Sequence, residues 1–306
     1  MARLLLWAVV SLALAPAIAG QTSRSAQSYF DRGNDKLKHG DIKGALDDCA
    51  AAIAFDPGYT AAYLVRGNIL RLNRDFDAAL ADYNKAIEIS PNSPEAYNCR
   101  GVAQQEKGEP GGAINDFNRA IALNPRFAAA YHNRGMARAA HGDINGAVAD
   151  YDIALRIAPR FADGYNNRGA ALVELGKLSL GIEDFSKALA LGCRTASVYN
   201  NRGLAYKLNG EPDKALTDLN RAVDLDPELA RAYYNRGSVW HVEGRLEAAL
   251  ADYSRAIELD SSLALAYAQR GLIHLGLKEQ SLAEADFARS IELDPGMRAR
   301  IERAKR

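Results

Sequence analysis

The chain has 306 residues, of which 38 are Lys or Arg and 38 are Asp or Glu. The zero formal net charge gives no overall pull toward nucleic acid or an acidic surface. Cys49, Cys99 and Cys193 are far apart in sequence, and a bridge needs Cα atoms within about 7 Å, so no disulfide is expected.

Residues 1–19 have the pattern of a secretory signal peptide. Arg3 gives a positive start, Leu4 to Ala15 is apolar apart from Ser11, Pro16 breaks the run, and Ala17-Ile18-Ala19 offers small residues to a signal peptidase. The apolar core is about 12 residues, short of the roughly 20 that a membrane span needs. An uncleaved anchor is the alternative reading, and in both the rest of the chain works outside the cytosol. Residues 20–25 are expected to be a linker.

From there the chain repeats. Tyr stands four residues before a Gly and Arg directly before it at Gly33, Gly67, Gly101, Gly135, Gly169, Gly203, Gly237 and Gly271, with the same spacing each time. A fixed period of about 34 residues means a stacked array without one central core. In the stretch 128–161, Ala130, Tyr131, Gly135, Ala137 and Arg138 share one helical period, and Gly142-Asp143 interrupts it. Asp143 offers a cap oxygen to a second helix, on which Ala147, Val148, Tyr151, Ala154 and Leu155 recur at helical spacing. Pro159 ends the unit. Each mid-helix Gly costs about 1 kcal/mol against Ala, which points to a close helix approach. Ala45, Ala79, Ala113, Ala147, Ala215, Ala249 and Ala283 face it from the second helix, with Gly181 in the fifth unit. Tyr83, Phe117, Tyr151, Phe185, Tyr253 and Phe287 fill the space above, with Cys49 and Leu219 in their place elsewhere.

A 34-residue helix–turn–helix with these small residues, an aromatic four after the Ala and a closing Pro resembles the tetratricopeptide repeat. The resemblance covers residues 26–297 as eight units: 26–59, 60–93, 94–127, 128–161, 162–195, 196–229, 230–263 and 264–297. It implies an all-α fold, a right-handed superhelical α-solenoid whose first helices line a concave groove. Tyr stands where the family often has Trp, and Arg where it has Leu. Cys193 and Ser261 replace the closing Pro in units five and seven. Unit five also carries Gly181 and Leu191-Gly192-Cys193, so a looser or re-angled joint is expected there. Residues 298–306 are a basic tail, either a cap for the last hairpin or a contact for an anionic membrane or polymer.

Two polar rows follow the period. Arg32, Arg66, Arg100, Arg134, Arg168, Arg202, Arg236 and Arg270 precede the glycines. An Asp follows each of them at one fixed distance, from Asp48 after Arg32 to Asp286 after Arg270. Arg–Asp pairs tying the helices together are expected; the other reading is an arginine row gripping an anionic ligand. Two before the Gly stand Asn133, Asn167, Asn201 and Asn235, and the position before that adds Asn98, Asn166 and Asn200. This row looks like the asparagine ladder in the repeat domain of O-linked N-acetylglucosamine transferase, which holds extended peptides by their backbone. An Asn amide both donates and accepts, so it can pair with a peptide N–H and C=O without reading the side chain. The alternative is that these amides bond the neighbouring unit. Val102, Met136 and Leu204 add apolar positions beside them.

Asn34 and Asn68 match the Asn phase of the co-chaperone carboxylate clamp, but Phe30 and Leu64 stand where its Lys belongs. No phosphate loop, HExxH, nucleophile elbow or CxxC is present. No cofactor or metal is implied. The expectation is a non-enzymatic scaffold of the cell envelope, periplasmic or secreted, whose partner is a protein or extended peptide and not nucleic acid. The alternative is a binder or assembly factor for an exported polysaccharide or envelope polymer.

Overall fold

The computed structural model describes residues 21–305, with side chains from Ser25 onward. The signal-peptide segment lies outside the described residues. All regular structure among the described residues is helical: α1 (Gln21–Lys38), α2 (Ile42–Phe55), α3 (Thr60–Leu72), α4 (Phe76–Ile89), α5 (Pro94–Lys107), α6 (Pro110–Leu123), α7 (Ala128–Ala140), α8 (Ile144–Ile157), α9 (Ala162–Glu174), α10 (Leu178–Ala190), α11 (Ala196–Leu208), α12 (Pro212–Leu225), α13 (Ala230–Val242), α14 (Leu246–Leu259), α15 (Ala264–Gly276), α16 (Gln280–Leu293) and α17 (Met297–Ala304). Residues 21–25 open α1, where a linker is expected from the sequence. No described helix is long and apolar enough to cross a membrane.

The described helices fall into two compact units, one ending at Ile157 and one starting at Ala158. In each, consecutive helices pair as antiparallel hairpins, an odd-numbered first helix with an even-numbered second helix. In the first unit α3 touches α5 and α5 touches α7; in the second, α9, α11, α13 and α15 touch in succession. Neighbouring second helices make no comparable contact. First helices therefore form the inner layer of each stack.

Local chemistry sets the boundaries. Asp41, Asp75, Ser93 and Asp143 accept a hydrogen bond from the backbone N–H three residues on, which caps α2, α4, α5 and α8. Asp56, Ser90, Asn124, Asp226 and Asp294 end second helices just before a proline, with φ between −129° and −144°. Asp260 takes the same conformation before Ser261, so the missing proline does not alter that end. Unit five differs. There α10 ends at Ala190 and Gly192 turns the chain at φ 98°. Within that hairpin Gly181 admits a close approach: a Cβ there would lie 2.6 Å from Val173 Cγ2 and 2.9 Å from the Gly169 carbonyl oxygen.

Six of the eight repeated glycines are explained by the ring that lies on them. A Cβ on Gly67, Gly101 or Gly135 would sit 2.7 Å from the Cε1 of Tyr83, Phe117 or Tyr151. Ordinary carbon contacts are about 3.5–4.0 Å. Two positions have no ring: a Cβ on Gly203 would meet Leu219 Cγ at 2.8 Å, and one on Gly33 would meet Asp48 Cβ at 3.2 Å. At the end of the second unit, α17 lays Met297 and Ile301 against Phe287, Ala268 and Ala283, so most of the basic tail is a packed helix. This covers the apolar face that a terminal hairpin would otherwise expose.

Candidate functional site

All eight Arg–Asp pairs form, each as a two-pronged fork: Nε donates to one carboxylate oxygen and Nη2 to the other. The arginine row is thus committed to the protein. A third contact is not evident from the periodic pairing. Nη1 of Arg100, Arg134, Arg202, Arg236 and Arg270 donates to Asn84, Asn118, Ser186, Asn220 and Ser254 on the preceding second helix, at 2.7–3.1 Å. One guanidinium thereby ties two helices of its own hairpin to the hairpin before it. The signal for this was an Asn or Ser in fixed register ahead of the Arg, as Asn84 is ahead of Arg100. Five planar donors in a fixed fork suit such a three-way junction, which a Lys could not reproduce.

The asparagines lie on the first helices, on the inner layer. In the first unit Asn133 of α7 donates its Nδ2 to Asn98 Oδ1 of α5 at 2.9 Å. In the second unit the amides join head to tail. Asn235 of α13 donates to Asn200 of α11 at 2.8 Å, and Asn200 to Asn201 at 3.4 Å. Asn201 donates to Asn166 of α9 at 3.4 Å, and Asn166 to Asn167 at 3.2 Å. Five side chains on three helices form one directed run, in which each bond polarises the next.

The run divides the candidate residues. Asn200 and Asn235 are 7% and 6% exposed, so their remaining N–H groups face protein. Asn98, Asn133, Asn166, Asn167 and Asn201 are half-buried. An amide has two N–H donors and an oxygen with two lone pairs, so the one lateral bond of Asn133 and the two of Asn166 and of Asn201 leave an N–H for a ligand. Val102 packs with Ala113, Phe117 and Ala137 and is half-buried. Leu204 is half-buried and Met136 is exposed. In the second unit the exposed Leu208 and Val242 continue the apolar edge at the ends of α11 and α13. No group of three or more His, Cys, Asp or Glu among the described residues is placed to hold a metal ion.

Sequence profiles described as tetratricopeptide repeat match residues 166–230, 200–264, 94–127 and 264–297, and one described as TPR repeat matches 67–108 and 135–176. No curated protein matches. Among solved structures, the chain is similar to the hetero-tetramer Cut9–Hcn1 of the APC/C at 17% identity and TM-score 0.70. That match covers 94% of this chain and 57% of the other. YrrB, described as a TPR protein with an unusual peptide-binding site, matches at 24% identity and TM-score 0.51, over 60% of this chain and 95% of its own. PilF of Pseudomonas aeruginosa matches at 15% identity and TM-score 0.64, over 70% of this chain and 97% of its own. The chain belongs to the tetratricopeptide repeat proteins, and its fold is an all-α solenoid.

Proposed function

We propose that this tetratricopeptide repeat protein is a non-catalytic scaffold that holds an extended polypeptide, or an extended part of a partner protein, along the inner layer of first helices. The observation that carries this is the half-buried amides of Asn98, Asn133, Asn166 and Asn201, each with an N–H left after its one or two lateral bonds. Spaced one rung per hairpin, such groups suit a backbone whose N–H and C=O groups recur along an extended strand. The apolar neighbours Met136, Leu204, Leu208 and Val242 would take side chains. The same fold in YrrB is described as carrying a peptide-binding site. The signal-peptide pattern before Gly20 supports a site of action outside the cytosol, in the cell envelope. N-terminal sequencing of the exported protein should begin at Gly20 or Gln21. A mature protein that retains Met1 to Ala19 would make the segment an anchor.

The test is a pull-down from envelope extract with the full chain and with Asn166 and Asn201 both changed to Ala. Each net amide bond contributes about 0.5–1.5 kcal/mol, so the affinity for the recovered polypeptide should fall by roughly 1–3 kcal/mol, with coupling between neighbours. An unchanged affinity beside a lowered melting temperature would make the amides purely structural. Recovery of glycan without protein would favour an envelope polymer as the ligand.

A further inference from the structure

Three helices of the second unit bring together an ammonium and two hydroxyls with no carboxylate among them. Lys207 of α11 donates its Nζ to Ser238 Oγ of α13 at 2.5 Å. Lys207 is half-buried, burial pushes its ammonium pKa down, and no carboxylate among the described residues offsets this. Tyr253 of α14 is fully buried with its hydroxyl facing that of Ser238, but it closes no hydrogen bond of good geometry. An ammonium only donates, and a serine hydroxyl has one proton to give. A buried donor left unmatched is costly.

The repeat supplies its own control. The equivalent of Lys207 in the second hairpin is Arg71, which pairs at 2.6 Å with Glu106 from the next first helix. The residue in the place of Glu106, relative to Lys207, is Val242. The carboxylate that completes the arrangement near α3 and α5 is therefore missing between α11 and α13. Ser238 is also the only hydroxyl in its row, where Val102, Met136, Ala170, Leu204 and Leu272 stand in the other described hairpins from the third to the eighth.

We infer that the Lys207–Ser238–Tyr253 cluster is a carboxylate-binding subsite of the inner layer, occupied by an Asp or Glu side chain of an extended polypeptide. This rests on the polypeptide reading above. The flanking surface favours a polypeptide over a sugar acid: Leu208 is 51% and Val242 83% exposed, and these would take apolar side chains beside the carboxylate. Lys207 Nζ and the Ser238 proton would donate to the carboxylate, and the Tyr253 hydroxyl would donate to Ser238 Oγ from behind.

The test uses the full chain labelled with ¹³C at lysine Cε. Three probes are titrated: the blocked peptide Ac-Ala-Val-Glu-Leu-Ala-NH2, its Gln counterpart, and oligogalacturonate. The Glu peptide should shift one lysine resonance saturably, the resonance lost in K207M, and should bind at least ten-fold tighter than the Gln peptide, about 1.4 kcal/mol. Ser238→Ala should reduce that ratio. Equal binding of the Glu and Gln peptides would overturn the subsite and leave the polypeptide groove standing. A Lys207 response to oligogalacturonate alone would overturn the polypeptide as its source. No Lys207 response to any probe would overturn the subsite. The wild-type titration does not depend on the variants folding.

Discussion

Replacing Gly135 and Gly111 by Ala gives two variants with the same chemistry and opposite expected outcomes. In open surroundings an added methyl in a helix gains about 1 kcal/mol over glycine. Gly111, in the first turn of α6, has nothing within 4 Å of the added Cβ, so Gly111→Ala should stabilise by roughly 0.5–1 kcal/mol. At Gly135 the Cβ would meet Tyr151 Cε1 at 2.7 Å and Cδ1 at 3.0 Å. Tyr151 is buried and lies 5.6 Å from the His132 ring, centroid to centroid, so it has little room to retreat. Overpacking of this kind costs about 1–3 kcal/mol. Set against the propensity gain, Gly135→Ala should lose from near zero to about 2 kcal/mol. Repeat arrays need not unfold in one step, so hydrogen exchange resolved by helix is the suitable assay. It should show faster opening of α7 and α8 in Gly135→Ala and slower opening of α6 in Gly111→Ala. A Gly135→Ala protein as protected as Gly111→Ala would refute the ring-contact explanation of the repeated glycine.

Arg236→Lys keeps the charge but cannot span Asp252 and Asn220 together; exchange of α12, α13 and α14 should quicken by the equivalent of about 1–3 kcal/mol, and unchanged protection would refute the three-way junction. The Arg32 guanidinium, with help from Lys36, holds the Asp48 carboxyl down at about 2 against an ordinary 3.8. The stabilisation from a depressed carboxylate pKa is present above the unfolded value and is lost as pH falls toward the folded one. Exchange of α1 and α2 should therefore rise between pH 4 and pH 2, and Asp48→Asn should flatten that dependence; an identical profile in the variant would contradict it. Lys278 holds a left-handed backbone at φ 64° where most hairpins place glycine. Lys278→Gly should change stability by no more than about 1 kcal/mol in either direction, and Lys278→Val should cost more than Lys278→Gly; a melt that reverses that order would contradict the strain argument.

The hairpins were legible because the repeat carries its own punctuation. The glycines, the aromatics four after the alanines and Asp143 each act within one unit, so their spacing along the chain encodes their contacts. The Arg–Asp fork was legible for the same reason, since both partners belong to one hairpin. What depends on the register between hairpins was not. The third guanidinium contact joins Arg100 to Asn84 across a hairpin boundary, and Asn84 reads in sequence as an ordinary exposed helix residue. The asparagine row was legible as a row, but its head-to-tail direction and the burial of Asn200 and Asn235 come from how closely the first helices pack. Gly181 reads in sequence only as a missing methyl; that it admits the Gly169 carbonyl and Val173 depends on the packing within the hairpin. Lys207, Ser238 and Tyr253 lie on three helices and follow no shared motif.

The most direct test of the account is the side-chain amide spectrum of the asparagines in the full chain during titration with Ac-Ala-Val-Glu-Leu-Ala-NH2. The Nδ2 signals of Asn166 and Asn201 should shift saturably as the peptide backbone bonds their second N–H, while those of Asn200 and Asn235, turned into the protein, should move far less. Saturable binding of the peptide with all of these signals fixed would place the polypeptide elsewhere and contradict the proposed role of the inner layer.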